Sequence, residues 1–149
     1  MRFTLDANIL VYAVDRDEPR RHAAARSIVA RAARGDCVLT LQALGEFVHA
    51  AHRKRRSRLP EIRDLAVDWA AVFPLVAAAP AQLSEAIRAV EADGMPFWDA
   101  MLWATAKRAG CRFVLTEDFQ DGRKLGGVTF LDPFNADNGR VLDALLPAD

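Results

Sequence analysis

The sequence predicts an α/β fold, a three-layer sandwich in which helices cover both faces of a mainly parallel sheet. Short apolar segments with strand character alternate along the chain with longer segments of helical periodicity. That order favours parallel strands joined by helices. With 149 residues, of which 52% are apolar, the chain is large enough to bury a core of its own. We therefore predict a single domain over residues 1–149.

The first half of the chain predicts two strands and four helices. Phe3 and Leu5 alternate with more polar residues in a short strand that ends at Asp6. Pro19 suits the first turn of a helix, and Gly35 follows that helix. A second strand is predicted over 37–41, and helices are predicted over 8–14, 20–34, 42–56 and 61–72.

The second half of the chain continues the alternation. Phe113, Val114 and Leu115 form an apolar strand, and two further strands are predicted over 73–76 and 128–131. Helices are predicted over 81–93, from 96 to the residues before Gly110, and over 141–146. The inward face of each longer helix follows from its apolar spacing. The predicted inward residues are Leu44, Phe47, Val48 and Ala51; Ile62, Leu65, Ala66 and Trp69; Leu83, Ile87 and Val90; and Met101, Leu102 and Ala106.

Charge and cysteine content narrow the class of protein. Twenty acidic and twenty basic residues cancel, so nucleic-acid binding must come from local patches. Cys37 and Cys111 lack metal-ligand spacing and indicate reduced core thiols in a cytosolic protein. Asp6 and Asn8 interrupt the N-terminal apolar run, so we expect no signal peptide. The apolar run at 70–81 is too short and too broken by proline to cross a bilayer. We expect a cytoplasmic protein without a membrane partner.

Two acidic residues directly follow predicted strands. Asp6 ends the first strand, and Asp118 lies just beyond the strand at 113–115. Because the carboxyl ends of parallel strands meet at one edge of a sheet, where ligands gather, these carboxylates are expected to lie close together. A structural role is the alternative, since Asp6 can cap the following helix and Asp118 can form a turn with its own backbone.

Two further acids lie near the start of predicted helices. Asp99 falls in the first turn of an apolar helix, between two tryptophans, where an unpaired carboxylate is costly to bury. Glu46 lies about one turn into the helix after the second strand. The alternatives are a favourable interaction of Asp99 with the helix dipole and a solvent-facing position for Glu46 at the margin of its helix.

These four acids indicate a metal-dependent hydrolase if they converge. No lysine or arginine adjoins Asp6, Glu46 or Asp99 in the sequence, and clustered carboxylates need a counter-cation to stay ionised. Ligands that are all carboxylate oxygens select Mg²⁺ or Mn²⁺ over Zn²⁺. Such ions activate water for cleavage of phosphodiester bonds. We therefore assign Asp6, Glu46, Asp99 and Asp118 as metal ligands and catalytic residues.

The same segments resemble the PIN-domain family, and more narrowly the VapC-type ribonuclease toxins of bacterial toxin–antitoxin pairs. The resemblance is carried by Leu5-Asp6-Ala7-Asn8-Ile9-Leu10-Val11-Tyr12, Glu46, Trp98-Asp99-Ala100 and Leu115-Thr116-Glu117-Asp118-Phe119, and it extends from Phe3 to about Phe134. It implies a Mg²⁺- or Mn²⁺-dependent endoribonuclease, commonly a homodimer that an antitoxin protein neutralises.

By this resemblance the four family acids carry over to Asp6, Glu46, Asp99 and Asp118, and Thr116 matches the hydroxyl near the metal. Members often have a further Asp two positions after the fourth acid. This chain has Gln120 there, followed by Asp121. The resemblance therefore leaves the role of Asp121 open.

Candidate RNA contacts come from a basic run and a few polar side chains. The run His52-Arg53-Lys54-Arg55-Arg56-Ser57-Arg58 follows the Glu46 helix, where cations can hold phosphates or simply favour the helix C-terminus. We assign Arg53 and Lys54, with Thr116 and Asn8, as candidate substrate contacts. His49 and His52 lack a zinc-site pattern and are expected at the surface. Trp98 and Trp103 can stack on bases, but helical spacing favours the core for at least one of them.

Two rival functions stay open from the residues. The first is a catalytically inactive PIN-like domain that binds RNA or protein. The second is a phosphatase in which Asp6 is a covalent nucleophile. That chemistry normally has a second Asp two residues later, where this chain has Asn8.

Overall fold

The computed structural model describes residues 1–54 and 57–148 and has a mostly parallel sheet at its centre. Within these residues the strand order is β3-β2-β1-β4-β6-β5, and only the pairing of β5 with β6 is antiparallel. The predicted α/β class is confirmed. The strands are β1 (Phe3–Leu5), β2 (Cys37–Thr40), β3 (Leu75–Val76), β4 (Phe113–Leu115), β5 (Lys124–Leu125) and β6 (Val128–Leu131).

Helices connect these strands and cover both faces of the sheet. They are α1 (Ala7–Tyr12), α2 (Pro19–Ala32), α3 (Leu41–Arg53), α4 (Leu59–Val72), α5 (Pro80–Asp93), α6 (Phe97–Arg108) and α7 (Gly139–Leu145), with a short 3-10 helix at Ala136–Asn138. In the described part of the chain, no helix has both the length and the apolar content that a membrane span requires.

The two faces of the sheet build two hydrophobic cores. Phe3 and Leu5 of β1 pack with α1, α2, α3, α4 and α7 on one face. Val38 and Val114 pack with α5 and α6 on the other. Because successive strand residues alternate between faces, the central strands are buried on both sides, and Thr4 between Phe3 and Leu5 is fully buried. This arrangement fixes the edge of the sheet at which Asp6 emerges.

Most predicted elements are present with shifted ends. The strands at 113–115 and 128–131 have the predicted bounds. The strand predicted over 73–76 is restricted to Leu75–Val76. Helix α3 ends at Arg53, and the predicted continuation through Arg55 and Arg56 falls outside the described residues. Cys37 and Cys111 are both buried free thiols, as expected.

The prediction for the inward face of α5 was wrong for Leu83 and Ile87, whereas Val90 is partly buried against the core as predicted. Leu83 and Ile87 are each 45% exposed, whereas Gln82, Ala86 and Ala89 are buried. Helix α5 packs on α6, and the small alanine side chains permit a close approach of the two helices. Apolar spacing alone missed this, because the face that packs is lined by small residues rather than large ones.

Strand β5 was absent from the prediction. It forms a hairpin with β6 in which Leu125 pairs with Val128. Gly126 and Gly127, between the strands, have φ of 54° and 82°. Two successive residues with positive φ are the requirement of a tight hairpin turn, and glycine meets it without steric cost. The Gly-Gly pair was therefore a usable signal for this hairpin.

Candidate active site

Parallel pairing places the ends of β1 and β4 side by side. Leu5 pairs with Leu115, so the residues that follow them, Asp6 and Thr116, leave the sheet at the same edge. Backbone hydrogen bonds fix both positions: Asp6 N donates to Leu115 O at 2.9 Å, and Thr116 N donates to Leu131 O at 3.0 Å. The two side chains are thereby held within reach of each other.

Asp6 is the most enclosed acid of the site, with 8% of its surface exposed. Its Oδ1 accepts a hydrogen bond of 2.7 Å from Ala7 N, and Asp6 is the N-cap of α1. Its Oδ2 accepts a 2.8 Å hydrogen bond from Thr116 Oγ1. Asp6 therefore caps α1 through Oδ1, which is the structural role considered above as an alternative. This cap leaves Oδ2 free for the hydrogen bond with Thr116, which follows the neighbouring strand.

The segment after β4 continues this hydrogen-bonded chain. Thr116 Oγ1 accepts from Asp118 N at 3.1 Å. The Asp118 carboxylate is exposed, and its Oδ2 accepts a hydrogen bond from Asn8 Nδ2. Asp118 is thus tied to α1 through its side chain and to Thr116 through its backbone. The Asn8 side chain therefore faces the acids, and its predicted role as a substrate contact stays a prediction.

Glu46 and Asp99 approach from α3 and α6. Asp99 lies in the first turn of α6 and is half-buried. Gln42 Nε2 donates to Glu46 Oε1 at 2.8 Å and to Trp98 O at 3.1 Å. Gln42 therefore joins the helix that carries Glu46 to the residue before Asp99. Gln42 was not predicted as a site residue, although it lies four residues before Glu46 on the same helical row.

The acids influence one another electrostatically. The pKa of Asp6 is raised to about 6. Burial is the largest cause, and the charges of Asp118 and Asp99 add to it, while hydrogen bonds from Thr116 and Ala7 oppose the increase. Burial also raises the pKa of Asp99, and Asp118 and then Glu46 add to that increase. The same four acids predicted from sequence therefore share one region of space.

No cation neutralises this acidic cluster within the described residues, since none of its four carboxylates forms an ion pair there. The carboxylates do not form a compact cage, however. Across the described ranges, no three His, Cys, Asp or Glu side chains are grouped closely enough to hold a metal ion as they stand. Several of the oxygens are instead engaged by Ala7 N, Thr116, Asn8 and Gln42. The site is an uncompensated cluster of acids with oxygen-donor chemistry.

A groove of about 360 Å³ lies beside the acidic cluster, between α1 and α3. Asn8, Glu46 and His49 contribute to its walls. His49 and His52 are exposed, as expected. The groove gives solvent and ligands access to the Glu46 side of the cluster.

Two of the four candidate substrate contacts, Arg53 and Lys54, lie at the surface apart from the acids. The other two lie within the acidic cluster, where Asn8 binds Asp118 and the buried Thr116 binds Asp6. Arg53 and Lys54 are exposed at the C-terminal end of α3. Arg53 follows Glu46 by two helical turns, about 10.5 Å along the axis. Trp98 is 62% exposed next to Asp99, whereas Trp103 is buried, so one of the two tryptophans belongs to the core.

Asp121 is bound away from the acidic cluster. Its carboxylate accepts hydrogen bonds from Asp132 N at 2.9 Å, Asn135 Nδ2 at 2.8 Å and Asn138 Nδ2 at 2.9 Å. Burial raises the pKa of Asp121, but these hydrogen bonds outweigh it and leave the pKa lowered. Asp121 fastens the segment after β4 to the 3-10 helix.

The fold and the acidic cluster define a PIN-domain protein. The sequence pattern of the PIN domain matches residues 3–121, and the chain belongs to this family. No curated protein sequence matches the chain significantly.

Solved structures share the fold at low sequence identity. A toxin–antitoxin complex from Klebsiella pneumoniae superimposes with a TM-score of 0.63 at 16% identity, covering 88% of this chain and 97% of the other. VapC20 of Mycobacterium tuberculosis, a toxin that cleaves the sarcin-ricin loop, gives 0.61 at 17% identity, with 78% and 91% covered. VapBC2 of Rickettsia felis, bound to a DNA fragment of its promoter, gives 0.60 at 14% identity, with 87% and 97% covered.

Proposed function

We propose that the chain is a Mg²⁺- or Mn²⁺-dependent endoribonuclease and the toxin of a bacterial type II toxin–antitoxin pair. The observation that carries this proposal is geometric. Hydrogen bonds through Thr116 and Asn8 join Asp6 to Asp118, and Gln42 joins Glu46 to the residue before Asp99. None of these four carboxylates forms an ion pair within the described residues. Membership of the PIN-domain family and the fold shared with toxin structures support the same chemistry.

The donor chemistry of the cluster suits a hard divalent cation, although its described carboxylates are not grouped closely enough to hold one as they stand. Carboxylate oxygens are the ligands that Mg²⁺ and Mn²⁺ prefer, and Asp6, Glu46, Asp99 and Asp118 would hold the ion. When bound, it would supply an acidified water as the nucleophile and neutralise charge on the phosphate that is cleaved. The binding energy of the ion would offset the cost of burying the Asp6 carboxylate near the negative charges of Asp118 and Asp99.

The remaining polar residues of the site have positioning roles in this proposal. The Thr116 hydroxyl and Ala7 N hold the two oxygens of Asp6. Asn8 restrains the Asp118 side chain, and Gln42 restrains Glu46. Each restraint reduces the number of orientations that a carboxylate can adopt, so less ordering is needed when a ligand binds.

Substrate binding is assigned to the surface beside the acidic cluster. Arg53 and Lys54 are exposed cations at the end of α3 and would bind RNA phosphates. The groove between α1 and α3, lined by Asn8 and Glu46, would admit the strand. Phosphate contacts fix the register of the RNA without reading its sequence.

The test is metal-dependent cleavage by the purified chain. Total bacterial RNA and an end-labelled structured RNA are incubated with Mn²⁺ or with EDTA. We expect cleavage only with Mn²⁺, and a loss of at least about 100-fold in Asp99→Asn because one ligand is weakened. Asp68→Asn, an exposed change on α4, is the control and keeps wild-type activity.

One outcome separates this function from its main rival. RNA binding in a gel-shift assay, together with no difference between Mn²⁺ and EDTA in the cleavage assay, would identify an inactive PIN-like binding domain. Wild-type cleavage by Asp99→Asn would refute the assignment of the site.

The biological assignment is tested in cells. We propose that the protein acts in the cytoplasm as a homodimer, and that a small antitoxin protein from a neighbouring reading frame binds and inhibits it. Buried free thiols at Cys37 and Cys111 fit a reducing compartment. Expression of the wild type is expected to arrest growth, co-expression of the antitoxin is expected to restore it, and Asp99→Asn is expected to be harmless. Arrest by Asp99→Asn as strong as that by the wild type would contradict the nuclease mechanism.

A further inference from the structure

A second polar cluster adjoins the acidic one and consists of Glu117 and the two residues that bind it, Tyr12 and Arg21. Glu117 stands between Thr116 and Asp118, and its side chain is only 13% exposed. Glu117 Oε1 accepts a hydrogen bond of 2.5 Å from the Tyr12 hydroxyl. Glu117 Oε2 forms an ion pair of 3.1 Å with Arg21 Nη2. Both carboxylate oxygens are therefore occupied by side chains from α1 and α2.

Aromatic rings hold the cation of this cluster in place. The Arg21 guanidinium lies 4.5 Å from the centre of the Phe134 ring and 6.0 Å from that of Tyr12. The Tyr12 and Phe134 rings meet edge to face, with centroids 5.7 Å apart. Cation–π contact and ring packing restrict where the guanidinium can move, so the ion pair with Glu117 has a fixed partner.

Helix α1 holds the segment after β4 at two points. Asn8 Nδ2 binds the Asp118 carboxylate, and Tyr12 binds Glu117. Asn8 and Tyr12 are four residues apart on the helix and therefore lie on the same face. Thr116 adds a third attachment through Asp6. All three residues of the segment are thus bound by side chains of other elements or by the end of β1.

We propose that Tyr12, Arg21 and Glu117 are positioning residues of the nuclease site, which act through the backbone of the Thr116–Asp118 segment. Tyr12 and Arg21 fix the Glu117 side chain. The fixed Glu117 in turn holds the backbone on both sides of it, so that Thr116 stays against Asp6 and the Asp118 carboxylate stays beside Asp6. None of the three has to contact RNA or a metal ion. The inference about metal and RNA rests on the proposed function, whereas the inference about the segment does not.

The first experiment needs neither metal nor RNA. Asp118 N donates to Thr116 Oγ1, so its hydrogen exchange, measured by NMR in the metal-free protein, reports on the order of the segment. In Glu117→Ala the exchange at Asp118 is expected to be about 10-fold faster, while amides of β1 and β4 are unchanged. Tyr12→Phe keeps the ring against Phe134 but loses the hydroxyl, and is expected to show a smaller change in the same direction.

Two variants separate local positioning from general stability. Glu117→Gln keeps an oxygen for the Tyr12 hydroxyl and is expected to restore part of the protection that Glu117→Ala loses. Asp143→Asn breaks the ion pair of 3.1 Å between Arg31 and Asp143, which involves no residue of the site, and is expected to leave exchange at Asp118 unchanged. Equal exchange at Asp118 in Glu117→Ala and the wild type would overturn the proposal.

The second experiment measures the consequence for catalysis. Tyr12→Phe and Glu117→Ala are expected to lower kcat about 10-fold and raise the Mn²⁺ concentration for half-maximal activity, with KM for RNA changed less than about 2-fold. Faster exchange with wild-type kcat and Mn²⁺ requirement would show a purely structural cluster and overturn the positioning role. If the wild type cleaves no RNA, the proposed nuclease function fails, and the exchange experiment still decides whether the cluster orders the segment.

Discussion

The hydroxyl of Thr116 donates a hydrogen bond of 2.8 Å to Asp6 Oδ2, across 110 positions of sequence. The bond exists because β1 and β4 are parallel neighbours in register, so that the residues after Leu5 and Leu115 leave the sheet together. Like the hydrogen bond between Asn8 and Asp118, it links side chains of the two segments that build the candidate site. Its removal therefore tests whether the orientation of Asp6 matters for activity.

If Asp6 is a metal ligand, as in the proposed function, Thr116→Val is expected to lower RNA cleavage about 10- to 100-fold, the usual effect of losing a residue that orients such a ligand. The valine keeps the shape but cannot donate to Asp6 or accept from Asp118 N. Thr116→Ser retains both bonds and is the matched control, with activity near that of the wild type. Equal activity of the valine and serine variants would contradict this role of the hydroxyl.

Asp6→Asn is expected to stabilise the metal-free protein at neutral pH. Burial and then Asp118 raise the pKa of Asp6 to about 6 from its ordinary 3.8. Because the folded-state pKa is the higher one, the contribution of Asp6 to stability is full below the unfolded pKa and is lost as the pH rises through the folded pKa. Ionised Asp6 therefore costs the folded state about 3 kcal/mol at neutral pH.

Urea unfolding in EDTA measures this effect. The free energy of unfolding of Asp6→Asn is expected to exceed that of the wild type by about 1–3 kcal/mol near pH 7.5, and the gain is expected to vanish near pH 4. Asp68→Asn, exposed on α4, should show no comparable gain. A difference for Asp6→Asn that is the same at both pH values would show that the carboxylate charge is not its cause.

Thr4 provides a prediction about the core beneath the site. It is fully buried in β1, and among the described residues its Oγ1 is the one enclosed side-chain polar atom without a hydrogen-bond partner. A buried polar group without a partner costs about 1–3 kcal/mol. Thr4→Val removes that cost in nearly the same volume, so we expect a gain of about 1 kcal/mol in the free energy of unfolding.

Thr105→Val is the matched control for Thr4→Val. Thr105 is equally a buried threonine, but its Oγ1 donates to Met101 O at 2.8 Å, so its replacement is expected to destabilise the protein. Thr4→Val should leave RNA cleavage unchanged because Asp6 keeps both of its hydrogen bonds. A loss of stability in Thr4→Val would show that the hydroxyl has a partner in solution.

The sequence was informative where one periodicity decides the structure. The apolar pattern located β1 and β4, and the parallel geometry that follows from strand–helix alternation placed Asp6 and Asp118 at one edge. Side chains that pack by shape were harder to predict. Leu83 and Ile87 have the right spacing to be buried, yet α5 packs through Ala86 and Ala89 instead.

The supporting residues of the site could not be read from the sequence for a different reason. Gln42 and Trp98 O are 56 positions apart, and Tyr12 and Glu117 are 105 apart. Each of these hydrogen bonds depends on the relative placement of two segments that are far apart in the sequence, and on individual side-chain rotamers. An acid beside a strand end predicts a site from local context, whereas a polar residue that orients the acid has no such context.

Gln42 is expected to be necessary for the placement of Glu46. Its amide donates to both Glu46 Oε1 and Trp98 O, so it joins α3 to the start of the helix that carries Asp99. Gln42→Met removes the donor at similar size, and we expect kcat for RNA to fall about 10-fold while the fold is kept. Leu41→Met, at the neighbouring exposed position, is the control.

Gln42→Glu is expected to lower kcat more than Gln42→Met does, because a carboxylate beside Glu46 adds repulsion to the loss of the donor. Circular dichroism confirms that each variant is folded. If both Gln42 variants cleaved RNA at the wild-type rate, Glu46 would be positioned without Gln42, and the link between α3 and α6 would be irrelevant to the reaction.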